Sequence, residues 1–147
     1  NVSKYLKHLP PILLIDEIIC LSPGYECKSK LTLTENKWFF KCHYPDYPVM
    51  PGTLLVEAMS QTMVIAINSQ RDIINGSEEV VLLNSIKNAK FLKEAVPGME
   101  IVIHAKVNSF KRGVVKGSIR CESNNELLCF SEQTIIVPGN LPKIKEI

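Results

Sequence analysis

The chain has 147 residues, 46% apolar and 22% charged, the balance of one globular domain rather than a disordered or fibrous chain. Seventeen Lys and Arg against fifteen Asp and Glu leave a net charge of +2, without the basic excess of a nucleic-acid binder. No apolar run reaches the roughly 18 residues of a membrane span, and the opening NVSKYLKHLPP lacks the cationic-then-apolar plan of a secretory signal.

In chain order, a short helix is predicted over residues 2–7, stopped by Pro10-Pro11. Residues 12–21 (ILLIDEIICL) read as a strand ended by Ser22-Pro23-Gly24, and residues 26–33 as its hairpin partner. Residues 34–51 hold aromatics and three prolines without a sustained period; a loop of this length in a compact domain is usually functional. From Gly52 to about Asn75 the period becomes helical, with apolar residues on every side of the wheel, which predicts a buried helix. After Asn75-Gly76, residues 80–89, 99–110, 114–121 and 127–137 read as strands, separated by Pro97-Gly98, Arg112-Gly113 and Asn124-Asn125. The expected architecture is a single α+β domain over residues 1–147, an antiparallel sheet wrapped around one central helix. The absence of alternating β-α units excludes a doubly wound fold. Five cysteines without a C-x-x-C, and Cys42-His43 as the one Cys beside a His, argue against zinc and disulfides and predict a cytoplasmic protein.

Glu57 is the informative residue, because a carboxylate in so apolar a helix is costly unless paired or protonated. Glu57, Ser60 and Gln61 (i, i+3, i+4) can be read as an exposed or subunit-facing stripe. The chemical reading is a carboxylic acid of raised pKa, able to donate a proton near pH 7. His43 lies in the preceding irregular segment among aromatics and prolines that could hold it in a dry, rigid place. Between them, Pro48-Val49-Met50-Pro51-Gly52 delivers Gly52 to a helix N-terminus, where free N–H groups can meet a developing oxyanion; a purely steric Pro-Gly helix start is the alternative.

The run FFKCHYPDYPVMPGTLLVEAMSQ (residues 39–61) resembles the signature of the 3-hydroxyacyl-[acyl-carrier-protein] dehydratases of dissociated fatty-acid synthesis, approximately F-F-x-G-H-F-P-x-x-P-V-M-P-G-x-L-x-x-E-A-x-A-Q, including the spacing of fourteen from His43 to Glu57. LKHLPPILLID (residues 6–16) and IKNAKFLKEAVPG (residues 86–98) are similar to that family's opening and to a later strand. The resemblance implies the hot-dog fold, a site shared across a homodimer with His43 and Glu57 from opposite subunits, and assembly as dimers or trimers of dimers. Cys42 stands where the family usually has Gly, as in a sister group that also isomerises its substrate. That group carries Asp where this chain has Glu57, which keeps the resemblance with the plain dehydratases. Leu9 and Leu92 stand where Arg is expected.

The implied reaction dehydrates a (3R)-3-hydroxyacyl thioester to the trans-2-enoyl thioester, with His43 as base, Gly52 N–H as oxyanion donor and Glu57 as acid. No metal or organic cofactor is expected, since the phosphopantetheine arm arrives with the substrate on an acyl carrier protein. Met50, Trp38, Phe39 and Phe40 are expected to shape an acyl tunnel, with a plain core cluster as the alternative. Lys87, Lys90 and Lys93, with Arg112, are expected to dock the acidic carrier, against a solvated strand edge. Cys42 is expected to be a small buried support, and His8 and His104 to be structural. The rival activities are a hot-dog thioesterase, a non-catalytic carrier-binding subunit and a coenzyme A ester hydratase.

Overall fold

Apolar and polar residues alternate along most of the strands, and that alternation decides which face each one buries. The computed structural model describes residues 1–74 and 80–142, with residues 71–74 described by their backbone. The strands are β1 (Glu17–Ser22), β2 (Glu26–Thr32), β3 (Leu82–Phe91), β4 (Glu100–Lys111), β5 (Val114–Ser123) and β6 (Glu126–Ile136), and α1 (Gly52–Ile74) is the one α-helix among the described residues. The strands form one six-stranded sheet in the order β1-β2-β4-β5-β6-β3, and every pairing is antiparallel. The connection through α1 thus carries the chain from beside one edge of the sheet to the opposite edge. None of the described helices is long and apolar enough to cross a membrane.

The β4–β5 and β5–β6 hairpins close through Arg112-Gly113 and Asn124-Asn125, all four residues at positive φ, as two-residue turns matched to strand twist require. The sheet curls around α1 and buries Leu31, Ile101, Ile103, Val115, Ile119 and Ile135 against helix residues that include Leu55, Met59, Met63 and Ile65. Two polar latches cross the same layer: Ser29 with Thr62 at 2.7 Å, and Ser60 donating to Gln133 at 2.7 Å. Gly117 lets the helix come close, because a Cβ there would fall 1.9 Å from Met63 Cε and 2.7 Å from the Lys106 carbonyl oxygen.

Two elements differ from expectation. The N-terminal helix is a single 3-10 turn, Val2–Lys4, capped by Asn1. The first strand starts at Glu17 rather than at residue 12. The reason is that Leu14 N–H is taken by the Gln61 side chain and the Ile12 and Leu13 N–H groups by Leu9 O, so this stretch is tied to the helix and not to a ladder. Residues 34–51 are irregular as predicted, apart from the 3-10 turn Trp38–Lys41. The Asn75-Gly76 pair lies outside the described residues.

Candidate active site

His43 follows that 3-10 turn, with its N–H bonded to Phe39 O at 3.0 Å. Its main chain and ring are both fastened to Val49: Val49 N–H donates to His43 O at 3.0 Å, and His43 Nδ1 lies 2.9 Å from Val49 O. A carbonyl oxygen only accepts, so Nδ1 carries a hydrogen and, in the neutral ring, Nε2 is the bare nitrogen. The ring stacks on Tyr44 at 4.2 Å. The loop is docked in turn: Met50 N–H donates to Ala95 O at 2.8 Å, and the Tyr47 hydroxyl donates to Glu94 at 2.5 Å. That bond holds the Tyr47 hydroxyl proton above its usual range.

Pro51 O accepts from both Leu54 and Leu55 N–H, which starts α1 and leaves Gly52 N–H without an acceptor among the described residues. The Phe91 ring covers Gly52 so closely that a Cβ there would fall 2.8 Å from the ring. Backbone donor and helix dipole therefore converge on a spot walled by an exposed aromatic.

Glu57 is half-buried on α1. Its Oε1 accepts from Gln61 Nε2 at 2.9 Å and faces His8 Nε2 at 3.4 Å. The hydrogen bond from His8 is the leading influence, and with the Gln61 amide and the His8 charge it outweighs burial, so the carboxyl is held below its ordinary range. The expectation of a raised pKa is therefore corrected: within the single chain Glu57 is a carboxylate at neutral pH. The exposed-stripe reading is corrected as well, because Ser60 and Gln61 are buried and tied to the sheet and the N-terminal segment. No hydrogen bond or ion pair joins His43 to Glu57 among the described residues.

His8 is the neighbour of Glu57 that sequence reasoning did not place there. Its signal was available in the LKHLPP match, but residue spacing alone cannot bring position 8 to position 57. Phe39, Phe40 and Met50 pack into the core with almost no accessible surface, whereas Trp38 lies outside and donates Nε1–H to Pro11 O at 3.2 Å. Phe39, Phe40 and Met50 thus sit as the plain core cluster that was the alternative to a tunnel wall, and Trp38 is exposed at its edge. Cys42 is exposed rather than buried, its thiol 3.5 Å from Phe39 O. His104 pairs with Glu26 at 3.2 Å on the outer face of the sheet.

The expected basic patch is divided. Lys93 is engaged by Glu126, and Arg112 sits in the β4–β5 turn, at least about 20 Å along the strands from Lys90. Lys90 instead heads a row across the outer face, in register with Phe130, then Arg120, then His104. These residues and Lys106 line a groove of about 500 Å³.

The curled antiparallel sheet around one helix is the hot-dog fold. Solved structures with this architecture include the dehydratase heterocomplex ApeI:P from Xenorhabdus doucetiae (TM-score 0.81, 15% identity, 93% of this chain and 90% of that one). The HP0420 homologue from Helicobacter felis is another (TM-score 0.69, 19% identity, 99% and 90%). A family model described as the FabA-like domain matches residues 6–131. A relative from Listeria monocytogenes serotype 4b is 31% identical over 143 residues, covering 97% of this chain and 96% of its own, and is named 3-hydroxyacyl-[acyl-carrier-protein] dehydratase FabZ. One of the same name from Wolbachia pipientis wMel is 39% identical over 124 residues, covering 82% and 83%. The chain belongs to the FabA-like family of 3-hydroxyacyl-[acyl-carrier-protein] dehydratases.

Proposed function

We propose that the protein is a hydro-lyase that removes water from (3R)-3-hydroxyacyl thioesters on an acyl carrier protein, giving trans-2-enoyl thioesters for fatty-acid synthesis. The observation that carries this reading is the His43–Val49 contact, which aims a bare Nε2 from the segment that leads directly to the free Gly52 N–H. His43 Nε2 takes the proton from the α carbon, and the charge that builds on the thioester oxygen meets Gly52 N–H and the start of α1. The β carbon–oxygen bond breaks as Glu57 delivers a proton to the departing hydroxyl, and the α,β double bond and water result. These are two proton transfers and one carbon–oxygen cleavage with no net change of oxidation state, and the reaction as proposed calls on no metal or organic cofactor.

The base and acid come, in this proposal, from two copies of the chain. The support is β3, an edge strand that leaves Leu82, Leu83, Ile86 and Phe91 exposed. An edge of this kind is a template for pairing with a second copy. The carrier is proposed to approach from the outer-face row that starts at Lys90, and the odd set of five cysteines supports a cytoplasmic setting. Incubation with 3-hydroxyacyl-carrier protein should produce the ultraviolet absorbance of a conjugated enoyl thioester. Release of free carrier thiol instead would mean a thioesterase, and no change would mean a non-catalytic subunit.

A further inference from the structure

The proposed reaction leaves Glu57 a carboxylate after each turnover, and the structure holds that carboxylate in a way that resists reloading. Two nitrogens face Oε1, the Gln61 amide hydrogen-bonded to it at 2.9 Å and the His8 ring within ion-pair distance, and only the ring is a titratable group. Gln61 cannot titrate: its Oε1 accepts Leu14 N–H at 3.0 Å and its Nε2 also donates to Ile12 O at 2.8 Å, so the amide is fixed in orientation and is a permanent donor to Glu57. His8 is the other, with Nε2 at 3.4 Å and a side chain 30% exposed. Its Nδ1 is buried without a partner, an arrangement that costs stability and calls for a reason. The ring also borders a cavity of about 240 Å³ with Lys7, Val64, Asn68, Val80 and Val81, room enough for several waters. Among the described residues, the charged groups facing His8 are Lys7 from its own segment and Glu57 from α1, while Asn68, Val80 and Val81 bring none.

We propose, resting on the dehydratase reading, that His8 is a positioning residue that stores a proton and returns it to Glu57 between turnovers. In the loaded pair the imidazolium donates Nε2–H to the Glu57 carboxylate. As substrate is committed, the Nε2–H bond breaks and an Oε1–H bond forms, leaving a neutral imidazole that keeps its hydrogen on Nδ1. Glu57 then gives that proton to the leaving hydroxyl. The pair ends one proton short and takes it back from water in the cavity, while His43 releases to solvent the proton it took from carbon. The cycle balances, one proton in at His8 and one out at His43.

The test compares His8→Gln, which keeps a donor but cannot titrate, with His8→Ala. If His8 stores the proton, His8→Gln should lose at least tenfold in kcat at pH 7 and regain activity toward pH 5, its alkaline limb displaced to lower pH. His8→Ala should be rescued several-fold by added imidazole, which fits the vacated cavity. A merely structural role predicts that His8→Gln keeps both the wild-type kcat and its pH profile, and that imidazole does nothing; that result overturns the proposal. Glu57→Gln, assayed alongside, separates the two claims. If it is inactive while His8→Gln is normal, only the proton store fails; if it is fully active, the dehydratase assignment of Glu57 fails. Should the His8 variants not fold, ¹⁵N-histidine and ¹³C-carboxyl spectra of the wild type still decide. The His8 ring should lose its proton at the midpoint of the alkaline limb of kcat, with the Glu57 carboxyl signal shifting over the same pH range as its partner's charge goes; a His8 midpoint away from that limb overturns the idea.

Discussion

The Nδ1 of His43 and the carbonyl oxygen of Val49 lie 2.9 Å apart, and that contact alone dictates which ring nitrogen is free to accept a proton. Because Val49 N–H also bonds back to His43 O, the accepting carbonyl is held in place, and the imidazole cannot turn without giving up that bond. A base held in one orientation has little to reorganise during reaction.

The first prediction follows from that rigidity. His43→Ala should lose roughly 10²–10⁴-fold in kcat, the usual worth of a positioned general base. Combining it with Glu57→Gln should cost little more than either change alone, since both serve one step. If the two act across a subunit boundary, refolding a mixture of the inactive single variants should restore part of the activity, by rebuilding one intact site per heterodimer. Absence of recovery, with subunit exchange verified by mass spectrometry of labelled chains, would place both residues of a site in one chain.

The second prediction concerns the helix–sheet contact that holds this geometry. Gly117→Ala pushes a methyl toward Met63 Cε and toward the Lys106 carbonyl. The methionine can swing away, but the carbonyl belongs to a ladder and cannot. Overpacking of this kind costs about 1–3 kcal/mol. Thermal or urea unfolding should register that loss, and adding Met63→Ala should recover only part of it. Full recovery would mean that the methionine alone sets the limit.

Much of this arrangement was legible because it is local. The α1 pattern, the Pro51-Gly52 start and the Arg112-Gly113 and Asn124-Asn125 turns depend on neighbours within one turn of chain, and each appears where the sequence puts it. Position along the sheet was not legible. That β3 pairs with β6 at the far edge, and so carries Lys90 away from Arg112, depends on contacts between residues more than 35 positions apart. The clamp of Gln61 on Leu14 spans 47 positions and replaces the strand pairing expected from residue 12. The Glu57–His8 contact is of the same kind. Without it burial outweighs the Gln61 amide, which is why the sequence pointed to a raised pKa and the structure to a lowered one.

A third prediction uses that sign. A carboxylate held below its ordinary range contributes stability above the unfolded value, near 4.5, and loses it as pH falls through the depressed folded value. Glu57→Gln removes the group from this balance. The stability gap between wild type and variant, from urea melts across the acid range, should be widest above that unfolded value and narrow as pH falls below it. A gap that widens on acidification would mean that Glu57 is protonated in the folded chain.

The fourth prediction bears on the carrier. Lys90 and Arg120 flank Phe130 in one row of the outer face, and neither meets an acidic side chain within ion-pair distance among the described residues. Lys93 is already engaged by Glu126, so its charge is partly spent before a partner arrives. Rim charges of this sort act through encounter rate and are screened by salt, with a Debye length of about 8 Å at physiological ionic strength. Reversing Lys90 and Arg120 to Glu should therefore raise the KM for acyl-carrier substrate several-fold and flatten its dependence on salt. The same reversal at Arg112, at the far end of the strands, should leave both unchanged. A small acyl-cysteamine thioester has no protein to dock, and its turnover should be untouched in every variant. If the double reversal slows both substrates equally, the row supports the fold of the sheet and the carrier docks elsewhere.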